Sequence, residues 1–227
     1  MDFISKVIEL FSTPKYMESI FEGLKMTLII SVLAAILGLF IGVVVALISI
    51  ADNSPIMVIP KAICKLYITI IRGTPMALQL FIMFYVIFTF RGFPEAITAT
   101  IAFGVNSGAY VAENIRAGIL SVDIGQTEAA RSLGLNSTQT MIHIVIPQAV
   151  KNILPALCNE FIAIVKETSL ASTFFIGELM TQFKTINGIT YRVLEPLTIV
   201  GIIYFLLTFI LSKLIALLER RLNASER

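Results

Sequence analysis

The stretch MTLIISVLAAILGLFIGVVVALISI, residues 26–50, holds 25 residues without a single charge. As an α-helix rising about 1.5 Å per residue it is longer than the roughly 30 Å hydrocarbon core of a bilayer. Three further uncharged runs follow: 18 residues at 73–90, and 17 each at 96–112 and 196–212. Lysine and arginine at their ends can snorkel to the interface, so these shorter runs also reach spanning length. A fifth run, residues 152–170, is interrupted by Glu160, Lys166 and Glu167. Across all 227 residues, 57% are hydrophobic, 14% are charged, and the mean hydropathy is +0.90. No soluble core needs so much apolar surface. The 17 basic and 15 acidic residues leave a net charge of only +2, which excludes the basic excess of a nucleic-acid binder.

The segments between these runs complete a single membrane domain over residues 1–227. Residues 1–21 carry charges throughout and lack the compact apolar region and cleavage site of a secretory signal. Phe3, Val7, Leu10 and Phe11 follow helical spacing, with Asp2, Lys6 and Glu9 elsewhere; the segment is either an amphipathic helix on the membrane surface or a partly ordered leader. In the segment 55–71, Lys61 and Lys65 lie four apart on one face, which places it at the inner interface. Gly73 and Pro75 then break the chain, and a second span starts near Thr74. The expected spans are 22–50, 74–91, 95–118, 148–170 and 194–218, an all-α polytopic membrane protein. Ten of the 17 basic residues fall on the side of residues 52–72, 113–151 and the tail from Lys213, which predicts that side as cytoplasmic, with the N-terminus outside. Cys64 and Cys158 lie in apolar sequence and are expected to remain free thiols.

Small residues recur every four positions in the first span, at Ala34, Gly38, Gly42 and Ala46, and in the third at Gly104, Gly108 and Ala112. Such stripes let two helices approach closely in lipid, where hydrophobic burial cannot drive association.

The connection between the third and fourth spans carries the most specific pattern. Glu128-Ala129-Ala130, three residues, Gly134, nine residues, then Ile144-Val145-Ile146-Pro147 resembles the EAA signature of binding-protein-dependent ABC importer permeases. It departs from that signature at Ile146, where leucine is usual, a volume-conserving change. Arg72-Gly73-Thr74-Pro75, Gln79-Leu80-Phe81, Gly108-Ala109-Tyr110 with Glu113 and Arg116, Gly125-Gln126, Pro147-Gln148-Ala149 and Lys166-Glu167-Thr168-Ser169-Leu170 resemble the polar amino acid branch of that family, the histidine, arginine and glutamine permeases.

The resemblance implies a type I ABC importer permease fold, with five transmembrane helices and a cytoplasmic coupling segment at 119–147. It further implies pairing with an identical copy or a paralogue, two cytoplasmic ATPase subunits, and an extracytoplasmic amino-acid-binding protein. In that family the EAA helix docks into a groove of the ATPase, which assigns Glu128, Ala129, Ala130 and Gly134 to the coupling interface; an ordinary capped surface helix is the alternative. The chain has no GxxxxGK[ST] loop and no Gly-Lys pair. ATP and magnesium are therefore expected on a partner chain, with no cofactor held here and no enzymatic role.

Glu160 sits near the middle of the fourth span, where an unpaired carboxylate costs roughly 2.5–3.5 kcal/mol even on insertion scales. No lysine or arginine lies three or four residues away on its own helix. Either it faces the translocation pathway, and so attracts the cationic side chain of arginine, lysine or histidine, or it forms an interhelical structural pair, or it is a protonated glutamic acid. Asn159 and Gln79 are either substrate contacts or interhelical glue. Glu113 and Arg116 suggest a local ion pair, and the single histidine, His143, a structural residue. Cargo such as glutamine or glutamate remains an alternative, as do an ion channel and a membrane enzyme. A channel does not need the segment from Glu128 to Pro147, and no His/Cys/Asp cluster or Ser/His pair marks a catalytic site.

Overall fold

The computed structural model describes residues 3–51 and 54–224; Asp2, Asp52 and Arg227, used above in reading the charge pattern, lie outside them. Ten α-helices and no strand occur among the described residues. They are α1 (Phe3–Ser12), α2 (Pro14–Ile50), α3 (Val58–Gly73), α4 (Met76–Ile82), α5 (Glu95–Leu120), α6 (Ile124–Ser132), α7 (Ser137–Thr140), α8 (Ile146–Glu167), α9 (Leu179–Thr190) and α10 (Leu194–Ala224).

The five expected crossings fall on α2, α4 with the turn that follows it, α5, α8 and α10, and α3 covers the segment expected at the interface. Three helical stretches are long and apolar enough to cross a bilayer on their own: Pro14–Ile50, Ser137–Phe174 and Leu194–Arg220. α5 has the length, at 26 residues, but is less apolar because it is the centre of the bundle. Twelve of its residues are buried, among them Thr98, Asn106 and Ser107. Helices that face lipid must be greasy outside, whereas one surrounded by helices needs small and polar residues instead.

The glycine stripes form the seam between α2 and α5. A β-carbon on Gly38 would lie 2.9 Å from Ser107 Cβ, one on Gly104 2.7 Å from Leu37 Cδ2, and one on Gly42 would collide with the Val111 side chain. Since Gly38 meets Gly104 and Ser107 while Gly42 meets Val111 and Ala112, the two helices run parallel. The chain between them therefore has to return across the bundle.

That return is broken. Pro55–Gly73 and Met76–Ile87 meet at a bend of 110°, at Thr74 and Pro75. α3 lies across the C-terminal half of α5: Tyr67 Oη donates to Val105 O at 2.6 Å, and Arg72 Nη1 is 3.9 Å from a Glu113 carboxylate oxygen. α4 then runs beside α5, with Met76 and Leu80 packed among Ala99, Ala102 and Phe103. The expected helix over 74–91 is shortened at both ends. α4 has seven residues, a five-residue π-helical turn continues it to Ile87, and Gly92 then adopts φ +81°. Pro75 removes a donor at one end, and the stack of Phe84 on Phe174, with ring centroids 3.8 Å apart, anchors the other.

α8 continues α7 through a second π-turn, Met141–Val145, just before Pro147. The wider turn leaves room for the proline ring, which would strike the carbonyl four residues back in a regular helix. Between the fourth and fifth expected spans the structure holds α9. Glu178 caps it, accepting from Met180 N–H at 2.6 Å, Thr181 N–H at 2.8 Å, Thr181 Oγ1 at 2.8 Å and Tyr204 Oη at 3.3 Å, and is 0% exposed. Leu179 N–H donates to Thr27 Oγ1 at 3.1 Å, which pins α9 to α2. α1 does not simply float on the membrane surface. Leu10 and Val7 pack with Ile186, Ile199 and Val200, and Arg192 Nη1 is 2.9 Å from a Glu9 carboxylate oxygen, while Phe3, Ile4, Ile8 and Phe11 remain exposed.

Candidate functional site

Two places carry functional geometry. The first is a cavity of about 470 Å³ between α2, α5, α8 and α10, within the usual range of small-molecule sites, roughly 300–1,000 Å³. Its walls are apolar, built by residues such as Leu39, Val111, Phe161, Leu211 and Leu214, apart from Glu160, Ser107 and Cys158. Glu160 is half-buried. The Ser107 hydroxyl approaches its carboxylate without forming a hydrogen bond of good geometry, and is itself buried with no partner among the described residues. Among the described residues no lysine or arginine lines this cavity. The Glu160 carboxylate thus faces this space with unused hydrogen-bonding capacity, beside a buried hydroxyl that also lacks a partner, which is costly unless something polar enters.

The other two residues expected at a substrate site lie elsewhere. Asn159 is exposed, on a different face of α8, where Asn152, Asn159 and Lys166 form an exposed row seven residues apart. Seven residues are nearly two helical turns, so the row marks one polar stripe along a membrane helix. Gln79 is spent on the bend. Its Nε2 donates to Ile71 O at 2.8 Å, Thr74 O at 3.2 Å and Thr74 Oγ1 at 2.9 Å, while its Oε1 accepts from Asn106 Nδ2 at 2.9 Å. Both donors of the amide are used to satisfy carbonyls freed at the end of α3, which makes Gln79 a brace and leaves no N–H for a ligand.

The second place is α6. Asp123 starts it, accepting from Gly125 N–H at 2.7 Å. Its end is a Schellman turn: Gly134 N–H donates to Arg131 O at 3.0 Å, Leu135 N–H to Ala130 O at 3.2 Å, and Gly134 adopts φ +89°, where a β-carbon is disfavoured. Asn136 and Gln139 then form a capping box for α7. Every local signal therefore stops the chain, turns it and restarts it, projecting α6 from the bundle.

On α6, Glu128 and Ala129 are exposed, as expected of an interface. Ala130 is 4% exposed, on a helix that lies against the chain's own π-turn, and so presents little surface to a partner. Two residues that sequence reasoning missed stand outward instead, Ile124 at 75% and Leu133 at 82% exposure. Large apolar side chains flanking a polar surface helix signal a docking face, a clue already present in their positions beside the EAA residues. Glu113 and Arg116 do form the expected ion pair, with Arg72 approaching the same carboxylate and stacking over the Tyr110 ring at 5.4 Å. His143 is exposed, and no group of metal-ligating side chains occurs among the described residues.

Comparison with known proteins places this geometry. Residues 57–224 match the family described as binding-protein-dependent transport system inner membrane component. The chain is 39% identical to the arginine transport system permease protein ArtQ of Bacillus subtilis (strain 168), covering 91% of this chain and 94% of that protein. It is 38% identical to the putative glutamine transport system permease protein GlnP of Rickettsia bellii (strain RML369-C), with the same coverage. It is 36% identical to the L-cystine transport system permease protein TcyB of Bacillus subtilis (strain 168), covering 88% and 85%. A crystal structure of an amino acid ABC transporter with histidines superposes with a TM-score of 0.87 at 42% identity, covering 97% of this chain and 99% of that one. Relatives named for different cargo stand at nearly equal identity, so overall similarity does not choose a substrate. What it does establish is that this chain belongs to the binding-protein-dependent transport system inner membrane component family, as a multi-pass amino acid permease of ABC importers.

Proposed function

We propose that this permease carries basic amino acids, arginine, lysine or histidine, and that Glu160 is the group that reads their charge. The observation that carries this reading is the position of Glu160: a half-buried carboxylate on a cavity of amino-acid size, with no cation among the described residues of its wall. A guanidinium, ammonium or imidazolium would supply the missing charge, and the Ser107 hydroxyl a second hydrogen bond. Asn159, on the polar row of α8, offers an amide to the substrate backbone along the path between two permease subunits, an identical copy or a paralogue.

In this account an extracytoplasmic binding protein delivers the amino acid and alternating access passes it inward. Two ATPase subunits, which hold ATP and magnesium, close against α6. Glu128 and Ala129 form the contact together with Ile124 and Leu133, and Gly134 sets the angle at which α6 is presented. The N-terminus lies outside and the C-terminus in the cytoplasm, as the distribution of basic residues favours.

The test is ATP-dependent uptake of labelled arginine, histidine, glutamine and glutamate into proteoliposomes holding the chain with its ATPase and binding protein. Saturable uptake of the basic amino acids, lost in Glu160→Gln, is the expected outcome. A preference for glutamine or glutamate would retain the permease and remove the cationic cargo.

A further inference from the structure

Glu160 does not border its cavity alone. Phe161, the next residue of α8, lines the same space and is the one aromatic side chain among the described residues of its wall. Neighbours on a helix point about 100° apart, so the carboxylate and the ring do not pack on each other and flank one sector of the cavity from a single element. Around them the wall is aliphatic, with Leu39, Leu154, Leu157, Ile164 and Leu211.

Elsewhere in the chain aromatic rings are engaged. Phe84 lies on Phe174 with centroids 3.8 Å apart, Phe88 on Phe93 at 4.8 Å and Phe205 on Phe209 at 5.8 Å. Arg72, Lys184 and Lys213 stand over the rings of Tyr110, Phe175 and Phe209. No ring and no cation of the chain stands over Phe161 among the described residues. A half-buried ring beside an unneutralised carboxylate is the pair of groups that a flat cation uses best.

The three basic side chains ask different things of this wall. The ammonium of lysine is a compact, strongly hydrated charge with three donors, and one carboxylate among aliphatic side chains does not replace its water. The guanidinium of arginine is planar and more weakly hydrated; its fork of N–H groups reaches both oxygens of a carboxylate while its face lies on an aromatic ring. Imidazolium is planar too, but gives a single N–H to the carboxylate and loses its charge above about pH 6.5.

We infer that Phe161 is the residue that selects guanidinium over ammonium, receiving the flat of the group whose N–H edge is held by Glu160. The inference rests on the reading of Glu160 as the receptor of a cation, and it narrows the cargo to arginine. Because both side chains stand on α8, their spacing does not depend on how the neighbouring helices move.

Equilibrium binding of labelled arginine to the permease–ATPase complex in detergent tests it, with lysine, histidine and citrulline as competitors and without the binding protein, so that the permease alone chooses. In the unmodified protein lysine and histidine are expected to compete about tenfold less well than arginine. Phe161→Leu is expected to weaken arginine about fivefold, the scale of one desolvated cation–π contact, and lysine by less than about twofold, while Phe161→Tyr keeps the preference. Lysine competing as well as arginine in the unmodified protein would overturn the inference before any variant is made, and so would an equal loss of arginine and lysine in Phe161→Leu. The reading of Glu160 fails by a different result, citrulline competing as well as arginine. A preference for arginine over citrulline that is lost in Glu160→Gln, with a ratio of arginine to lysine indifferent to Phe161→Leu, would keep Glu160 and remove Phe161.

Discussion

Glu178 and Glu160 are both acids placed among packed helices, and the protein surrounds them in opposite ways. Glu178 has no exposed surface and receives four hydrogen bonds, from two backbone N–H groups, Thr181 and Tyr204. Its capacity is spent inside its own chain. Glu160 faces a cavity beside a buried hydroxyl that has no partner, and no cation lines that cavity among the described residues. A carboxylate saturated by its neighbours holds a fold together, whereas one left unsaturated beside open space is poised for a visitor.

The comparison breaks most visibly at Glu178. Glu178→Ala removes the cap of α9 and orphans buried donors, a loss of roughly 2–4 kcal/mol when the cap and the desolvated partners are counted together. Thermal unfolding in detergent should show a clearly lowered Tm; an unchanged Tm would mean that the hydrogen bonds of Glu178 are dispensable. Glu160→Gln should do the reverse, leaving Tm in place while lowering kcat/KM for a basic amino acid by about 10- to 100-fold, the usual range for one charge-assisted contact. A Tm drop matching that of Glu178→Ala would make Glu160 structural as well.

Much of this architecture is legible from residue spacing, and the exceptions share a cause. The spanning runs, the packing stripes of α2 and α5 and the turn at Gly134 all follow from local patterns: uncharged length, small residues every four positions, a glycine after a short helix; that the two stripes meet each other, and in parallel, is shown only by the structure. α9 and its Glu178 cap escape such reading because they are secured by partners far along the chain, such as Thr27 with Leu179. Gln79 escapes it for the same reason. A polar residue in a span looks alike whether it awaits a substrate or braces a bend, and only the positions of Ile71, Thr74 and Asn106 separate the two. The inward turn of Ala130 depends on how α6 lies against the π-turn before Pro147, which helical spacing alone does not specify.

The seam sharpens the contrast between sites closed by packing and sites left open. Gly42→Ala drives a methyl into Val111 and is expected to cost about 1–3 kcal/mol, the usual range for overpacking, whereas Gly201→Ala, with open space around its backbone, should be silent. Equal Tm values for the two variants would show that the seam yields. Gly134→Ala gives a left-handed residue a β-carbon at roughly 1–2 kcal/mol, a cost confined to the exposed turn that ends α6. Global stability should change little, while ATP hydrolysis and uptake, assayed together, should lose their stoichiometry; tightly coupled transport in this variant would place the ATPase contact elsewhere.

The reading of Glu160 is tested most directly by the ratio of arginine to citrulline uptake, since citrulline keeps the shape of arginine and lacks its charge. The unmodified protein is predicted to prefer arginine by about tenfold or more, and Glu160→Gln to bring the ratio close to one. A preference for arginine that survives Glu160→Gln would contradict the account.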